Sequence, residues 1–220
     1  MRNGKVRYMT MVGMLSAYAY VLTLIGKVVP IRFNDFLQYD PKDAVIVISG
    51  FALGPLASLF VSVIVAFLEL ITISSTGVIG FLMNVLSSVS FACIAAFIYK
   101  HRKSLGGAVF ALTVSSVVTV GAMVLWNYLV TPVYMGVPRE VVAGMILPVF
   151  LPFNVIKCGL NASLAMLIYK PFVQAMRSVK LLPAPVTDDD LQDKAHFKLS
   201  VTIPALAVMA AMVALFIILG

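Results

Sequence analysis

The sequence has few charged residues. Only 11% of its 220 residues are Asp, Glu, Lys or Arg, against roughly 25% in typical soluble domains. Acidic residues are the scarcest, with nine Asp and Glu against sixteen Lys and Arg, while hydrophobic residues make up 61% of the chain. A soluble core of this length does not require such an excess, so the composition indicates a protein that has lipid as its solvent.

Residues that commonly bind metals or perform catalysis are also rare. Cys93 and Cys158 lie inside apolar segments without the spacing of a metal site, and we interpret them as buried side chains. His101 and His196 lie among basic or polar residues. The sequence has no Walker motif, no HExxH and no Ser-His-Asp set. We therefore predict no catalytic residue, no metal site and no bound cofactor, and an enzyme is disfavoured.

Long apolar runs dominate the chain instead. A helix needs about 20 apolar residues to cross the hydrocarbon core of a membrane. Seven candidate segments occur, namely Met9–Val29, Ala44–Leu53, Leu56–Ile73, Ile79–Tyr99, Ala108–Val130, Met145–Tyr169 and Leu199–Leu219. The second is too short to cross alone unless it begins near Asp43 and leans, or packs as a partial span. The first continues past the cleavage-like triplet Ala17-Tyr18-Ala19, so we interpret it as a retained helix rather than a signal peptide.

The basic residues predict how the chain crosses the membrane. They form three clusters, at 2–7, 100–103 and 170–180, between the apolar runs. The positive-inside rule places all three in the cytoplasm, provided that the short second segment crosses. We therefore expect a multi-pass protein of the cell membrane with a cytoplasmic N-terminus. The net charge of +7 then reflects topology and does not indicate nucleic acid.

The same pattern predicts an all-α integral membrane protein in three parts. Residues 1–180 form a six-helix, substrate-binding membrane core. Residues 181–197 differ in composition, with two prolines and three consecutive aspartates, and form a cytoplasmic linker. Residues 198–220 form an additional C-terminal transmembrane helix, whose role the sequence leaves open.

Polar residues inside the apolar runs fall toward one side of the membrane. The predicted topology places Glu69, Asn84, Asn127, Asn154 and Lys157 in the outer half, although they come from four different helices. Charges inside a membrane are costly and usually mark function. On the sixth helix the stripe of Asn154, Lys157 and Asn161 has the spacing i, i+3, i+7 and shares one face. We expect this face to line a binding pocket that opens outward.

A structural interpretation of the same residues stays open. Lys157 would then pair with Glu69 or extend toward the interface, and the asparagines would bond neighbouring helices. The outer loops, of which Pro30–Asp43 contains the charges of Lys42 and Asp43, are likewise ambiguous. Their aromatic residues are typical of interface anchors, and they are equally suited to cover a planar ligand.

Several short motifs carry a resemblance to a known family. They are Tyr39-Asp40-Pro41-Lys42-Asp43, Gly50-Phe51-Ala52-Leu53-Gly54-Pro55, Ser75-Thr76-Gly77 with Gly80 and Asn84, Trp126-Asn127-Tyr128, and Leu151-Pro152-Phe153-Asn154-Val155-Ile156-Lys157. Over about residues 8–177 the chain resembles the substrate-binding S component of energy-coupling factor (ECF) vitamin transporters, and among these the riboflavin-transporting members.

The resemblance implies a function and a set of site residues. An S component binds its vitamin from outside the cell and has no ATPase of its own. In riboflavin members the residues matching Asn127, Asn154 and Lys157 contact the flavin. The first outer loop, about Phe36–Asp40 here, covers the ligand and would contribute Leu37, Tyr39 and Asp40. The ribityl hydroxyls need polar partners, for which Thr76, Glu69 and Asn84 are candidates, and Asn161 completes the stripe.

The resemblance also implies partners. An S component associates with a transmembrane coupling protein and two cytoplasmic ATPases. Small residues on the first helix, Gly13, Ser16 and Ala17, have the spacing of a helix-packing surface for the coupling protein, although packing within the bundle explains them equally well. The linker and C-terminal segment depart from the six-helix pattern.

Two further functions stay open at this stage. The ligand is flavin mononucleotide or another vitamin if Lys157 binds a phosphate or carboxylate. A small membrane-embedded enzyme is the alternative of another class, with Glu69 and Lys157 as its candidate acid and base.

Overall fold

The computed structural model describes residues 2–28, 32–33, 37–178 and 194–219. Its elements in chain order are α1 (Arg2–Val28), β1 (Arg32–Phe33), β2 (Leu37–Gln38), α2 (Lys42–Leu53), α3 (Pro55–Thr72), α4 (Gly77–Ser88), a first π-helical turn (Val89–Cys93), α5 (Ile94–His101), α6 (Leu105–Leu129), α7 (Thr131–Met135), α8 (Arg139–Met145), a second π-helical turn (Ile146–Phe150), α9 (Leu151–Ser178) and α10 (Lys194–Leu219). Phe36 and most of the predicted linker, 181–193, lie outside the described residues, and the three-part division of the chain stays a prediction.

Six helices in the described chain are long and apolar enough to cross a membrane. These spans are Gly4–Val28, Pro55–Thr72, Gly77–His101, Leu105–Leu129, Arg139–Met176 and Thr202–Leu219. The all-α integral membrane fold predicted from the sequence is confirmed. The last span belongs to α10, so the seventh apolar segment forms a helix of membrane length.

The short second segment forms a buried helix at the centre of the bundle. Helix α2 has 12 residues and is about 18 Å long at 1.5 Å per residue, which is less than the ~30 Å of the hydrocarbon core. Nine of its residues are buried, including both charged residues of its first turn. It packs against α1, α3, α5 and α9. Because it is enclosed by longer helices, α2 does not need to match the membrane thickness itself.

A tight turn joins α2 to α3. Gly54 has a positive φ of 101°, a conformation that glycine adopts without steric cost, and Pro55 begins α3. Lys42 at the start of α2 contacts Glu69 near the end of α3, so the two helices run antiparallel. The chain therefore reverses direction at α2, as the predicted alternation of the basic clusters requires.

Gly50 lets α2 lie close to its neighbours. A Cβ added there would lie 2.0 Å from the Oγ of Ser58 and 2.6 Å from the Cβ of Ala96. The two glycines of the Gly50–Gly54 pair therefore have different roles, close helix packing at the first and a turn at the second.

Two π-helical turns interrupt the long helices beside the polar residues. The second, Ile146–Phe150, contains Pro148 and is followed by Pro152. Proline has no N–H to donate to the carbonyl four residues earlier, which explains the distortion of the helix at this position. The first, Val89–Cys93, directly follows two buried serines, Ser87 and Ser88.

Candidate ligand-binding site

A cavity of about 230 Å³ lies at one end of the bundle; we call it the polar cavity. The ends of α1, α3 and α6 meet there with the starts of α2, α4 and α9, and strand β2 forms part of its wall. Nine of the residues predicted from the sequence line it: Leu37, Tyr39, Asp40, Glu69, Thr76, Asn84, Asn127, Asn154 and Lys157. The structure thus brings together polar side chains that the sequence distributes over four long helices and a loop.

The first ion-pair group of the polar cavity is centred on Lys42. Its Nζ lies 2.5 Å from Oε1 of Glu69 and 3.1 Å from Oδ2 of Asp40. The backbone N–H of Lys42 also donates to Oδ1 of Asp40 at 2.9 Å, a local turn that fixes the carboxylate beside the ammonium group. The Lys42 side chain is only 3% exposed, so these carboxylates are what makes its burial tolerable.

The second ion-pair group joins α2 to α9. Nζ of Lys157 lies 3.3 Å from Oδ2 of Asp43 and donates to Oγ of Ser87 at 3.3 Å. Oγ of Ser88 donates to Oδ1 of Asp43 at 2.5 Å. The expected pairing of Lys157 with Glu69 is therefore wrong, because each of the two residues has a partner on α2, Asp43 for Lys157 and Lys42 for Glu69.

The amide side chains differ in how they are held. Asn84 donates to Oε2 of Glu69 at 2.7 Å and so extends the first ion-pair group. Asn127 and Asn154 donate to the carbonyls of Met123 and Phe150, each one turn earlier in its own helix. Both side chains are nearly fully buried yet line the cavity, so their own helices hold them in fixed positions in its wall.

Asn161 lies behind the cavity wall and does not line it. Its Nδ2 donates to the backbone carbonyl of Asp40 at 3.2 Å and to that of Lys157 at 3.1 Å. It therefore supports the loop that carries Asp40, one turn beyond the position where the sequence stripe predicts direct contact with a ligand.

Tyr39 supplies a polar group without a partner. Its ring is 7% exposed and lines the cavity, and its buried hydroxyl makes no hydrogen bond within the described part of the chain. Burial, reinforced by the nearby Asp43 and Asp40 carboxylates, raises the pKa of this hydroxyl. It is thus protonated at neutral pH and can donate to a ligand.

The Asp40 carboxyl is held in its ionised form. Burial favours the neutral acid, but the adjacent Lys42 ammonium and the Lys42 backbone N–H outweigh burial and lower the pKa of Asp40 below its ordinary value. The polar cavity is therefore bordered by fixed charges of both signs. Among the described residues, no group of three or more His, Cys, Asp or Glu is placed to hold a metal ion.

Sequence reasoning did not assign several residues of the cavity wall to the site. Thr23 of α1 contacts both Asp40 and Glu69, at 3.3 and 3.4 Å, and Gln38 donates to the carbonyl of Gly26. The sequence pattern places Lys42 and Asp43 in an outer loop, whereas they lie buried in the first turn of α2. Their signal was the placement of an adjacent cation and anion at the start of an apolar segment that has no other charge.

The predicted partner surface on α1 is divided between two environments. Gly13 and Ala17 are exposed on the outside of the bundle, and a Cβ added at Gly13 would meet nothing within 4 Å. Ser16 is buried and donates to the carbonyl of Val12 at 2.8 Å. Small residues thus leave a shallow outer face at 13 and 17, while Ser16 packs within the bundle.

A second, larger cavity of about 540 Å³ lies between α6, α9 and α10; we call it the apolar groove. Its wall consists mainly of aliphatic side chains, with Thr113, Ser116 and Ser163 as the polar exceptions. The hydroxyls of all three donate to carbonyls of their own helices. The groove therefore offers a ligand no free hydrogen-bond donor from these side chains.

Comparisons with known proteins agree with this architecture. Residues 7–169 match a family model described as ECF transporter, substrate-specific component. A solved structure described as the S component of a bacterial ECF transporter is similar to the chain with 27% sequence identity and a TM-score of 0.66, covering 79% of this chain and 99% of that one. No curated protein sequence matches.

Proposed function

Because the chain belongs to the family of ECF transporter substrate-specific components, we propose that it binds riboflavin in the polar cavity and provides it for uptake into the cell. Members of this family are multi-pass membrane proteins, act as substrate-binding subunits rather than enzymes, and work with an ECF module made of a transmembrane protein and ATPases. The family leaves the vitamin open, and the choice of riboflavin rests on the side chains of the cavity.

The observation that carries this choice is the mixed chemistry of the polar cavity. Tyr39 and Phe153 supply aromatic surface, and Leu37, Met83 and Met123 supply further apolar surface. Such walls suit the planar faces of an isoalloxazine ring. Asn127, Asn154, Lys157 and the free Tyr39 hydroxyl supply donors for the ring carbonyls and nitrogens. The remaining polar wall, with Glu69, Thr76 and Asn84, suits the hydroxyls of a ribityl chain.

The cavity as it stands is small for such a ligand. Its volume of about 230 Å³ is below the ~300–1,000 Å³ usual for small-molecule sites. Part of its wall is strand β2, which has only two residues, pairs with β1 and contacts Gly26 through Gln38. We infer that this part of the wall shifts outward when riboflavin binds.

The orientation in the membrane is part of the proposal. The cluster at 100–103 spans the end of α5, at the end of the bundle opposite the polar cavity. If the positive-inside rule holds for this cluster, the N-terminus lies in the cytoplasm and the polar cavity faces outward. Riboflavin then enters from outside the cell, which is the direction that uptake requires.

The transmembrane coupling protein is proposed to dock on α1. The exposed small residues Gly13 and Ala17 lie one helical turn apart, a spacing that allows another helix to approach closely. Exposed Tyr18 and Val21 extend the same outer surface. Two cytoplasmic ATPases would bind the coupling protein.

Titration of the purified protein with riboflavin, followed by quenching of flavin fluorescence, tests the ligand and the site together. Lys157→Ala removes a cation and Asn154→Ala an amide from the wall, so each is expected to weaken riboflavin binding at least tenfold, about the value of one charge-assisted hydrogen bond. Lys103→Ala removes an exposed cation far from the cavity and serves as the charge-matched control.

Three results would contradict the proposal. Unchanged affinity in both site variants would place the ligand elsewhere. Tighter binding of flavin mononucleotide than of riboflavin would assign the phosphorylated ligand. Folded protein that binds neither flavin would overturn the choice of ligand, and native mass spectrometry of the detergent-purified protein would then identify any other vitamin that co-purifies.

A further inference from the structure

Helix α10 lies outside the residues that match the family model, which end at 169. Most of its surface is exposed in the isolated chain, and Ile217 and Ile218 are 74% and 76% exposed, as expected for side chains that face lipid. One face is different. Met209, Met212 and Phe216 have the spacing i, i+3, i+7, which places them on one side of the helix, and they pack against a buried cluster beside the polar cavity.

This cluster contains the strand pair that borders the polar cavity. Phe33 of β1 is fully buried, although β1 has only two residues. Its ring contacts Phe153 of α9, with centroids 5.7 Å apart, and meets Phe216 of α10 edge-on at 5.5 Å. Edge-on contact at this distance is a favourable geometry for aromatic rings. Phe216 therefore covers a side of Phe33 that α9 does not.

The contact between Phe216 and Phe33 is connected to the cavity wall through neighbouring residues of the two strands. Phe33 pairs with Leu37 across the two strands, and Leu37 and Tyr39 line the cavity. Tyr39 belongs to the same buried cluster as Phe33 and Phe153. The strand pair therefore contributes side chains both to the lining of the polar cavity and to the cluster that α9 and α10 share.

Close docking of α10 on α9 depends on Gly159. A Cβ added at Gly159 would lie 2.8 Å from both Cγ and Sδ of Met212, too close for α10 to keep its position without a shift. Met212 lies one turn before Phe216, so the same contact that seats α10 also sets the position of the Phe216 ring.

We propose that α10 is a positioning element of the binding site, in which Phe216 holds the β1–β2 wall against the polar cavity through Phe33. The ligand-dependent part rests on the proposed function, while the effect on the wall does not. Because the wall must shift for a vitamin-sized ligand to pass, loss of the Phe216 ring makes the shift easier and ligand exchange faster.

Hydrogen–deuterium exchange of the ligand-free protein tests the wall itself. Phe216→Ala is expected to increase amide exchange about tenfold at residues 33 and 37–40, a modest loss of protection typical of one missing aromatic contact, and to leave α2 and α3 unchanged. Ile217→Ala, at the neighbouring lipid-facing position, is the matched control and should leave exchange at residues 33 and 37–40 unchanged. Equal exchange in wild type and Phe216→Ala overturns the proposal, as does an equal increase in both variants.

Two further variants separate positioning from general loss of structure. Phe216→Tyr keeps the ring and should restore exchange to the level of the wild type. Gly159→Val should shift Met212 and reproduce the Phe216→Ala effect from α9, even if Phe216→Ala itself does not fold. Wild-type exchange at residues 33 and 37–40 in a folded Gly159→Val protein, or increased exchange in Phe216→Tyr, counts against the proposal.

Stopped-flow release of riboflavin tests the consequence for the ligand. Phe216→Ala is expected to raise the rates of both association and dissociation, by up to about tenfold. The reason is that the β1–β2 wall must shift both when the ligand enters and when it leaves. A purely structural defect would instead slow association as binding-competent protein is lost, and that result overturns the proposal. If folded wild type binds no riboflavin, the proposed function fails, yet the exchange experiment still decides the role of α10.

Discussion

The polar cavity and the apolar groove differ in a way that their volumes alone do not convey. The apolar groove has more than twice the volume of the polar cavity, at about 540 against 230 Å³. Yet the groove lies between three helices with aliphatic side chains, while the two ion-pair groups at the polar cavity join three carboxylates and two ammonium groups from the loop and three helices. In a protein that has lipid as its solvent, an apolar groove between helices requires no special explanation.

The buried charges of the polar cavity, in contrast, do require an explanation. Each unpaired charge in a membrane costs several kcal/mol, and removing one partner of a buried pair is about as costly. A chain keeps such groups where they contribute to function or hold a structure in one arrangement. The comparison therefore teaches that polarity, and not size, identifies the candidate site in this fold.

The difference between the two regions predicts that substitution of Lys42 causes the largest loss of stability. Lys42→Met leaves Glu69 and Asp40 without their shared cation and is expected to cost about 3–5 kcal/mol of stability, the usual effect of removing one member of a buried ion-pair group. Thermal unfolding in detergent measures the loss. The exposed Lys103→Met is the control, and a transition temperature equal to that of the wild type would show that the ion-pair group does not stabilise the bundle.

Adding a methyl group at Gly50 of α2 should cause the next largest loss of stability. Gly50→Ala places a Cβ against Ala96, which cannot move aside as a flexible side chain would, and overpacking of this kind costs about 1–3 kcal/mol. Gly121→Ala on α6 is the matched control, because a Cβ there meets nothing within 4 Å. Equal thermal stability of the two variants would contradict the close packing described for α2.

Lowering the pH should reduce the stability that the ion pairs of the polar cavity contribute, whereas the described residues that line the apolar groove have no ionised side chain to lose. The folded protein lowers the pKa of Asp40, so the unfolded chain binds this proton more readily. The stability from ionised Asp40 is therefore fully present above the ordinary aspartate pKa of about 3.9 and is lost as pH falls through the lower value of the folded state.

The Asp40→Asn variant isolates this effect from the contributions of the charged groups nearby, such as Glu69, Lys42 and Lys157. Its thermal stability should fall less steeply than that of the wild type as the pH decreases below about 4. Identical pH profiles for the two proteins would show that Asp40 is not held ionised by its neighbours.

The smallest effect is expected in the apolar groove. Thr113 lines the groove and donates only to the carbonyl of Val109 in its own helix, at 2.9 Å. Thr113→Val should leave riboflavin affinity within about twofold and stability within about 0.5 kcal/mol, as for other exposed substitutions. A large loss of affinity would make the groove part of the binding site and remove the distinction between the two regions.

The sequence predicted the helical fold and several polar residues of the cavity wall for one physical reason. Polar side chains are so unfavourable in lipid that each one inside an apolar run is informative by itself. Glu69, Asn84, Asn127 and Lys157 could therefore be assigned to a common pocket once their depths were estimated from the basic clusters.

The partners of these residues could not be predicted in the same way. Lys42 and Asp43 begin a helix too short to be identified as a span, so their charges were assigned to the outer loop, and the pairing of Lys157 with Asp43 followed only from the packing of α2 against α9. The contact of Phe216 with Phe33 could not be predicted either. Nothing in its own apolar segment distinguishes it from neighbours that face lipid, because its contact with Phe33 joins distant parts of the chain.

The tight turn at Gly54 has a consequence for how the protein is made. Helix α2 begins with two charges and is too short to cross a bilayer, so it is a poor candidate for insertion by itself. With Gly54 as the hinge, α2 and the strongly apolar α3 can enter the membrane together as one helical hairpin. Asp43 is then placed in the bilayer well before the ribosome has synthesised Lys157, and the ion pair between them forms as a late step of biogenesis.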